Sequence, residues 1–132
     1  MQIARTLLDK VVEHAVRDAP NECCGVVLGR DDSATTVREL ENLAASPLRF
    51  DIDGRELLPL VFADDDESEQ LLAIYHSHTR SDPYPSQTDV NFAAGWPGVE
   101  WLIVGVSRNA EPDSRSYLID GGVIKDVALE IT

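Results

Sequence analysis

Two histidines and a carboxylate lie close together in the chain, in a pattern that could hold a metal ion. His76 and His78 directly follow the apolar run Leu71–Tyr75, which predicts a buried strand. Because side chains alternate along a strand, both imidazoles should project from the same face. Asp89 comes eleven residues after His78, on the first turn of a predicted helix. Two imidazoles and one carboxylate are enough to bind zinc and leave one position for water.

Asp89 also has a purely structural explanation. The segment from Ser86 to Asp89 matches a helix capping box, in which a serine caps the helix and an acid three residues later bonds back to it. On spacing alone, capping explains Asp89 better than a metal does. The two interpretations are not exclusive: the cap fixes the helix start, and the Ser86 hydroxyl could point into the site instead.

Glu22 lies just after the end of the first predicted helix, near the negative end of its dipole. This unfavourable position is a weak hint that Glu22 acts as a base beside the metal.

Cys23 and Cys24 would point to opposite faces of a strand, so at most one could reach a given ion. We predict that both are small buried residues, because a zinc ribbon needs a second cysteine pair. His14, on the polar side of the first helix, is predicted to lie on the surface.

Hydrophobic periodicity predicts an α/β fold. Helices are expected at 6–19, at 57–63 and from 86 or 87 to 94, and strands at 24–28, 34–40, 71–75, 101–106, 115–119 and 123–127, with further short strands possible at 1–3 and 48–52. In this order the elements pack most economically as a mixed central sheet flanked by helices on its faces. The expectation is one α-β-α domain spanning residues 1–132.

The chain is strongly acidic, with a net charge of −13 and a pI near 4.4. Such a surface repels nucleic acid and anionic membranes, so neither is an expected partner. The acidity fits either a high-salt cytoplasm or the steering of a basic or mixed-charge protein surface. No apolar run approaches the roughly 20 residues of a membrane helix, and the first residues lack a signal-peptide core. We therefore expect a soluble, cytoplasmic protein.

The residues that could do chemistry resemble a known signature. His76-x-His78, seven residues, Ser86, two residues and Asp89, with Glu22 upstream, are similar to the motif of JAMM (MPN+) zinc metalloproteases. Every signature position is present with the family's spacing. The segment from residue 20 to residue 29 looks like the compact prokaryotic branch of that family. The likeness covers essentially the whole chain.

The resemblance implies a fold and a set of roles. The fold would be that of MPN domains, which is like that of cytidine deaminases. His76, His78 and Asp89 would hold one zinc ion, with water in the fourth position. Glu22 would take the proton of that water and later pass it to the leaving amine. Ser86 would donate a hydrogen bond to the developing oxyanion.

The resemblance also implies a class of substrate. Family members cleave peptide or isopeptide bonds after the glycine-ended tail of ubiquitin-like proteins. The compact branch resembles enzymes that process small sulfur-carrier proteins of ubiquitin-like fold, including release of cysteine newly assembled on the carrier. A diglycine tail could pair as an added strand beside a sheet edge. The expected partner is therefore such a carrier, and the family includes both monomers and homodimers.

Three other classes share parts of the pattern. RadC-like domains have the same histidine and aspartate spacing, but usually carry an extra helical DNA-binding region. Non-catalytic MPN scaffolds serve as interaction modules and generally lose the metal ligands, which are intact here. A zinc-stabilised binding domain would close the fourth metal position with a protein ligand. The acidic charge and the complete signature favour the peptidase over all three.

Overall fold

The computed structural model describes residues 1–61, 69–106 and 111–132. Within these residues the helices are α1 (Arg5–Asp18), α2 (Gly54–Val61) and α3 (Gln87–Ala93). The strands are β1 (Gln2–Ile3), β2 (Cys24–Arg30), β3 (Ser33–Leu40), β4 (Gln70–His78), β5 (Glu100–Gly105), β6 (Asp113–Asp120), β7 (Val123–Val127) and β8 (Glu130–Ile131). None of these three helices is long and apolar enough to cross a membrane.

All the described strands join one mixed sheet, in the order β7-β6-β5-β4-β2-β3-β1-β8. The strand β4 lies near its middle, antiparallel to β2 and parallel to β5. Hairpins β2–β3 and β6–β7 extend the sheet on either side. The predicted mixed sheet is confirmed. Because β4 lies near the centre of this sheet, it is buried from Ala73 to His78.

The alternation of side chains along β4 separates two hydrophobic layers. Ala73 and Tyr75 face α1, whereas Ile74 and His76 face the side covered by α2 and α3. Neighbouring strands follow the same alternation, so helices pack on both faces as predicted. The layer under α1 buries Leu8, Val11, Ala15, Val27, Leu102 and Val104, and the other layer buries Val26, Leu57, Ala93, Trp101 and Ile103.

The strand predicted at 48–52 is wrong. These residues form an irregular segment whose backbone bonds to the Asn42 side chain instead of to a neighbouring strand. The Asn42 amide donates to Arg49 O at 3.1 Å, and its carbonyl accepts from Asp51 N at 3.0 Å. Helix α2 begins at Gly54, earlier than predicted, because the Asp53 carboxylate accepts from the N–H of Arg55 at 3.0 Å. The predicted end of this helix, at 62–63, lies outside the described residues.

The predicted surface position of His14 is also wrong, because the sheet extends beneath that side of α1. His14 is buried, its Nδ1 lies 2.7 Å from the Tyr75 hydroxyl, and its Nε2 lies 3.1 Å from an Asp18 carboxylate oxygen. The prediction for Cys23 and Cys24 is confirmed. Both thiols are free and fully buried, and they belong to opposite layers of the core.

Candidate metal centre

Three potential metal ligands converge at the C-terminal end of β4. The Nε2 atoms of His76 and His78 lie 3.1 Å apart. The Oδ2 atom of Asp89 lies 3.1 Å from the first and 3.2 Å from the second. All three residues are buried. The strand supplies the two imidazoles on one face, and the first turn of α3 brings the carboxylate against them.

These distances fit zinc. Donor atoms 2.0–2.1 Å from a tetrahedral zinc ion lie about 3.3 Å from one another, close to the separations within this cluster. The tautomer of His78 is also suitable, because its Nδ1 lies 2.8 Å from the carbonyl oxygen of Asp82. A carbonyl only accepts, so Nδ1 carries a proton, and in the neutral imidazole the lone pair of Nε2 faces the cluster. His76 Nδ1 has no hydrogen-bond partner among the described residues.

The charges of the cluster favour metal binding. Burial alone would raise the pKa of Asp89, but hydrogen bonds from His76, His78 and the Ser86 amide hold it well below its usual range. The carboxylate is therefore ionised over the whole physiological range. Burial lowers the pKa of His76, which keeps this imidazole in the neutral form that binds metals. Burial alone would lower the pKa of His78, but the hydrogen bonds to Asp89 and to the Asp82 carbonyl, together with the negative charges of Asp89 and Glu22, raise it.

Glu22 approaches the same histidines from the segment before β2. One of its carboxylate oxygens lies within 4.8 Å of a ring nitrogen of both His76 and His78. Two sets of three ligands are therefore possible, sharing the imidazoles and differing in the carboxylate. Asp89 is the better ligand, because its Oδ2 lies at hydrogen-bond distance from both rings. Burial raises the pKa of Glu22 to about 7, so this carboxylate exchanges a proton near neutrality.

Ser86 forms the predicted capping box with Asp89. Its Oγ accepts from the N–H of Asp89 at 3.2 Å, and its own N–H donates to Asp89 Oδ2 at 2.9 Å. Thus Asp89 both caps the helix and contacts the imidazoles. A hydroxyl that accepts one bond still has its proton to donate. Ser86 is exposed, so this proton is available to a ligand above the site.

The loop between β4 and α3 is fixed against the sheet by contacts with Gly105 and Tyr117, two residues that sequence reasoning missed. Pro83 packs on Gly105 so closely that a Cβ at this glycine would lie 2.9 Å from the proline ring. The Tyr117 hydroxyl donates to the carbonyl of Pro83 at 2.7 Å. These contacts hold the loop against the C-terminal end of β5 beside His78, which pairs with Gly105. A glycine at the end of an otherwise apolar strand was the available signal for such a close approach.

Phe50 was also missed. Its ring stacks on the imidazole of His76, with ring centroids 4.4 Å apart and an interplanar angle of 25°. Phe50 is buried and comes from the irregular segment 42–53, and its ring also lies 5.4 Å from that of Phe92 on α3. The stacking limits rotation of the His76 ring and keeps solvent away from it.

Comparisons with known proteins place this domain in a family. Residues 4–120 match the Prok-JAB model, described as prokaryotic homologues of the JAB domain. The chain therefore belongs to this family, and the resemblance inferred from the histidine motif is confirmed. The CysO-cysteine peptidase of Mycobacterium tuberculosis is 35% identical over 127 residues, covering 94% of this chain and 86% of the relative. The desampylase of Haloferax volcanii is 33% identical over 122 residues, covering 87% and 83%.

A solved structure supports the fold. The solution structure of a protein from Desulfitobacterium hafniense matches with a TM-score of 0.82 and 28% sequence identity. The match covers 99% of this chain and 92% of that protein. The mixed α/β architecture expected for JAB/MPN domains is confirmed by likeness to solved JAB/MPN structures. Relatives named as a peptidase and a desampylase support a hydrolase.

Proposed function

We propose that residues 1–132 form one zinc-dependent peptidase domain acting on a small ubiquitin-like or sulfur-carrier protein. The bond cleaved is the peptide or isopeptide bond after the glycine-ended C terminus of the carrier. Cysteine carried at that terminus is one product. The observation that carries this proposal is the convergence of three metal-ligand atoms, 3.1–3.2 Å apart, with a fourth group, Glu22, beside them.

His76, His78 and Asp89 would hold the zinc ion. Bound zinc supplies a Lewis acid that lowers the pKa of water towards about 7 and polarises a carbonyl. The Glu22 carboxylate accepts a proton from the attacking water while the oxygen of that water bonds to the carbonyl carbon of the terminal glycine. Glu22 then returns this proton to the nitrogen as the C–N bond breaks. Its pKa of about 7 suits both transfers.

The substrate class rests on the relatives. One is named a CysO-cysteine peptidase and another a desampylase. Both names describe removal of a group from a partner, and both proteins are similar to this chain over most of its length. The strongly negative charge of −13 disfavours an acidic carrier face and favours a basic or mixed-charge one.

The proposal is tested by incubating the purified chain with recombinant sulfur carriers extended by one cysteine after their diglycine. Mass spectrometry should show loss of the cysteine, and cleavage should stop after treatment with a chelator and return with added zinc. A carrier whose diglycine is replaced by dialanine is the matched control and should remain uncleaved. Binding of carriers without cleavage by the zinc-loaded chain would contradict the proposal and favour an MPN-type scaffold. Cleavage that survives the chelator would contradict the metal mechanism.

Replacing Ser86 with alanine should slow hydrolysis about 100- to 1,000-fold, because an oxyanion donor is lost. The substitution also removes the helix cap, at a cost of about 1 kcal/mol in unfolding free energy. Turnover and thermal unfolding therefore need to be measured on the same samples. Ser86→Thr keeps a hydroxyl and a cap, so it should retain most of the activity. Equal rates for Ser86→Ala and the wild type would remove Ser86 from the mechanism.

A further inference from the structure

Both backbone polar groups of Glu22 are hydrogen-bonded to the irregular segment 42–53. The N–H of Glu22 donates to the carbonyl of Ser46 at 2.9 Å. Its carbonyl accepts from Nδ2 of Asn42 at 2.9 Å. The next residue is bonded to β4, because the N–H of Cys23 donates to Oγ of the buried Ser77 at 2.8 Å. The backbone that carries the Glu22 carboxylate is thus held between this segment and β4.

The Asn42 side chain makes four hydrogen bonds to the backbone of this region. Besides the carbonyl of Glu22, its Nδ2 donates to the carbonyl of Arg49 at 3.1 Å. Its Oδ1 accepts from the N–H groups of Ala44 and Asp51, both at 3.0 Å. A carboxamide has two N–H donors and two acceptor positions, and all four are used here. Aspartate has the same shape but no donor, and serine is too short to span these groups.

The same segment contacts the metal ligands through another side chain. Phe50 stacks on the imidazole of His76, eight residues along the chain from Asn42. The bonds of Asn42 to Arg49 and Asp51 bracket Phe50 on both sides. Asn42 therefore sets the distance between the segment that covers His76 and the backbone that carries Glu22.

We propose that Asn42 is a positioning residue for Glu22. By holding the carbonyl of Glu22, its amide keeps the carboxylate beside His76 and His78. This inference rests on the proposed function, since it assumes that Glu22 transfers protons during hydrolysis. Its physical basis is that a catalytic group displaced by about 1 Å can cost on the order of 100-fold in rate.

The first test compares Asn42→Ala and Asn42→Asp with the wild type. Both should lower kcat about 10- to 100-fold, as is typical for residues that support a catalytic group, with little change in KM. Zinc content should stay at the wild-type value, because the proposed ligands are intact. The aspartate variant keeps the two acceptor bonds, so an equal loss in both variants assigns the effect to the donor bonds. Asn91→Ala, an exposed position on α3, is the control and should keep full activity.

A second test asks whether Asn42 acts through Glu22. In a Glu22→Gln background, adding Asn42→Ala should lower the residual rate by less than about twofold, since the positioned group is already lost. A full additional 10- to 100-fold loss would mean that Asn42 acts elsewhere, and would overturn the proposal. Loss of folding in both single variants, measured by circular dichroism, would also overturn it, because Asn42 would then be merely structural.

A third test needs no substrate. In the full chain as purified, amide hydrogen exchange at Glu22 and Cys23 should be at least tenfold faster in Asn42→Ala, whereas exchange at Leu102 in β5 should stay unchanged. If the wild type cleaves no carrier, the proposed function fails, but this exchange still reports whether Asn42 anchors Glu22. Unchanged exchange at Glu22 would overturn the positioning role whatever the activity.

Discussion

Glu22→Gln should bind zinc like the wild type and lose hydrolysis by about 100- to 10,000-fold, the range typical of a missing general base. Glutamine has the same length and keeps the backbone bonds of Glu22 to Ser46 and Asn42. It cannot take up the proton of water. Steady-state kinetics on the carrier substrate and elemental analysis of zinc, made on the same preparation, measure both effects.

The thermal midpoint of Glu22→Gln should not fall. Burial raises the pKa of Glu22 from 4.5 to about 7, so folding favours the protonated form. A raised carboxyl pKa means that stability declines as the pH rises from about 4.5 to 7 and stays lower above it. A neutral glutamine removes that decline. Glu56→Gln, the same change at an exposed position on α2, is the control and should leave kinetics and zinc content unaltered. A near-normal rate in Glu22→Gln would refute the assignment of Glu22 as the base.

His78→Ala should lose both the metal and the activity. The wild type should contain about one zinc ion per chain and the variant almost none, because two remaining donors hold zinc far more weakly than three. Truncation also removes the bonds of His78 to Asp89 and to the carbonyl of Asp82. Circular dichroism must therefore show that the variant is folded before its zinc is counted.

His14→Gln provides the matched control for His78→Ala. Its imidazole is buried as well, but it belongs to the opposite face of the sheet, where it contacts the Tyr75 hydroxyl. Zinc content should be unchanged in this variant, even if the midpoint of unfolding falls. If His78→Ala instead kept its full zinc content, the metal would have to bind elsewhere, and the proposed centre would be abandoned.

The local parts of the site could be predicted from the sequence. The pairing of His76 with His78 on one strand face follows from a period of two. The capping role of Asp89 is confirmed, and its metal-binding role stays a prediction. Spacing alone did not reveal that the oxygen accepting from the Ser86 amide is the one that contacts both imidazoles.

The parts that depend on distant contacts could not be predicted. Asn42 and Phe50 lie in a segment that was expected to contain a strand, and their partners Glu22 and His76 are far away in the sequence. In this segment the side-chain amide of Asn42 supplies the hydrogen bonds that a neighbouring strand would otherwise make. Hydrophobic periodicity does not detect such bonds. His14 was misplaced for a related reason, since a helical pattern shows the polar side of α1 but not which strands lie beneath it.

The proposed catalytic base and the proposed metal ligands come from different stretches of the chain. The proposed ligands His76 and Asp89 are 13 positions apart on one strand–loop–helix unit, whereas Glu22 lies just before β2, the strand that pairs with β4. Under the proposed function, a single codon change at Glu22 would give a protein that still folds, binds zinc and recognises the carrier but no longer cleaves it. Under the same proposal, one substitution would be enough to turn a protease into a carrier-binding receptor.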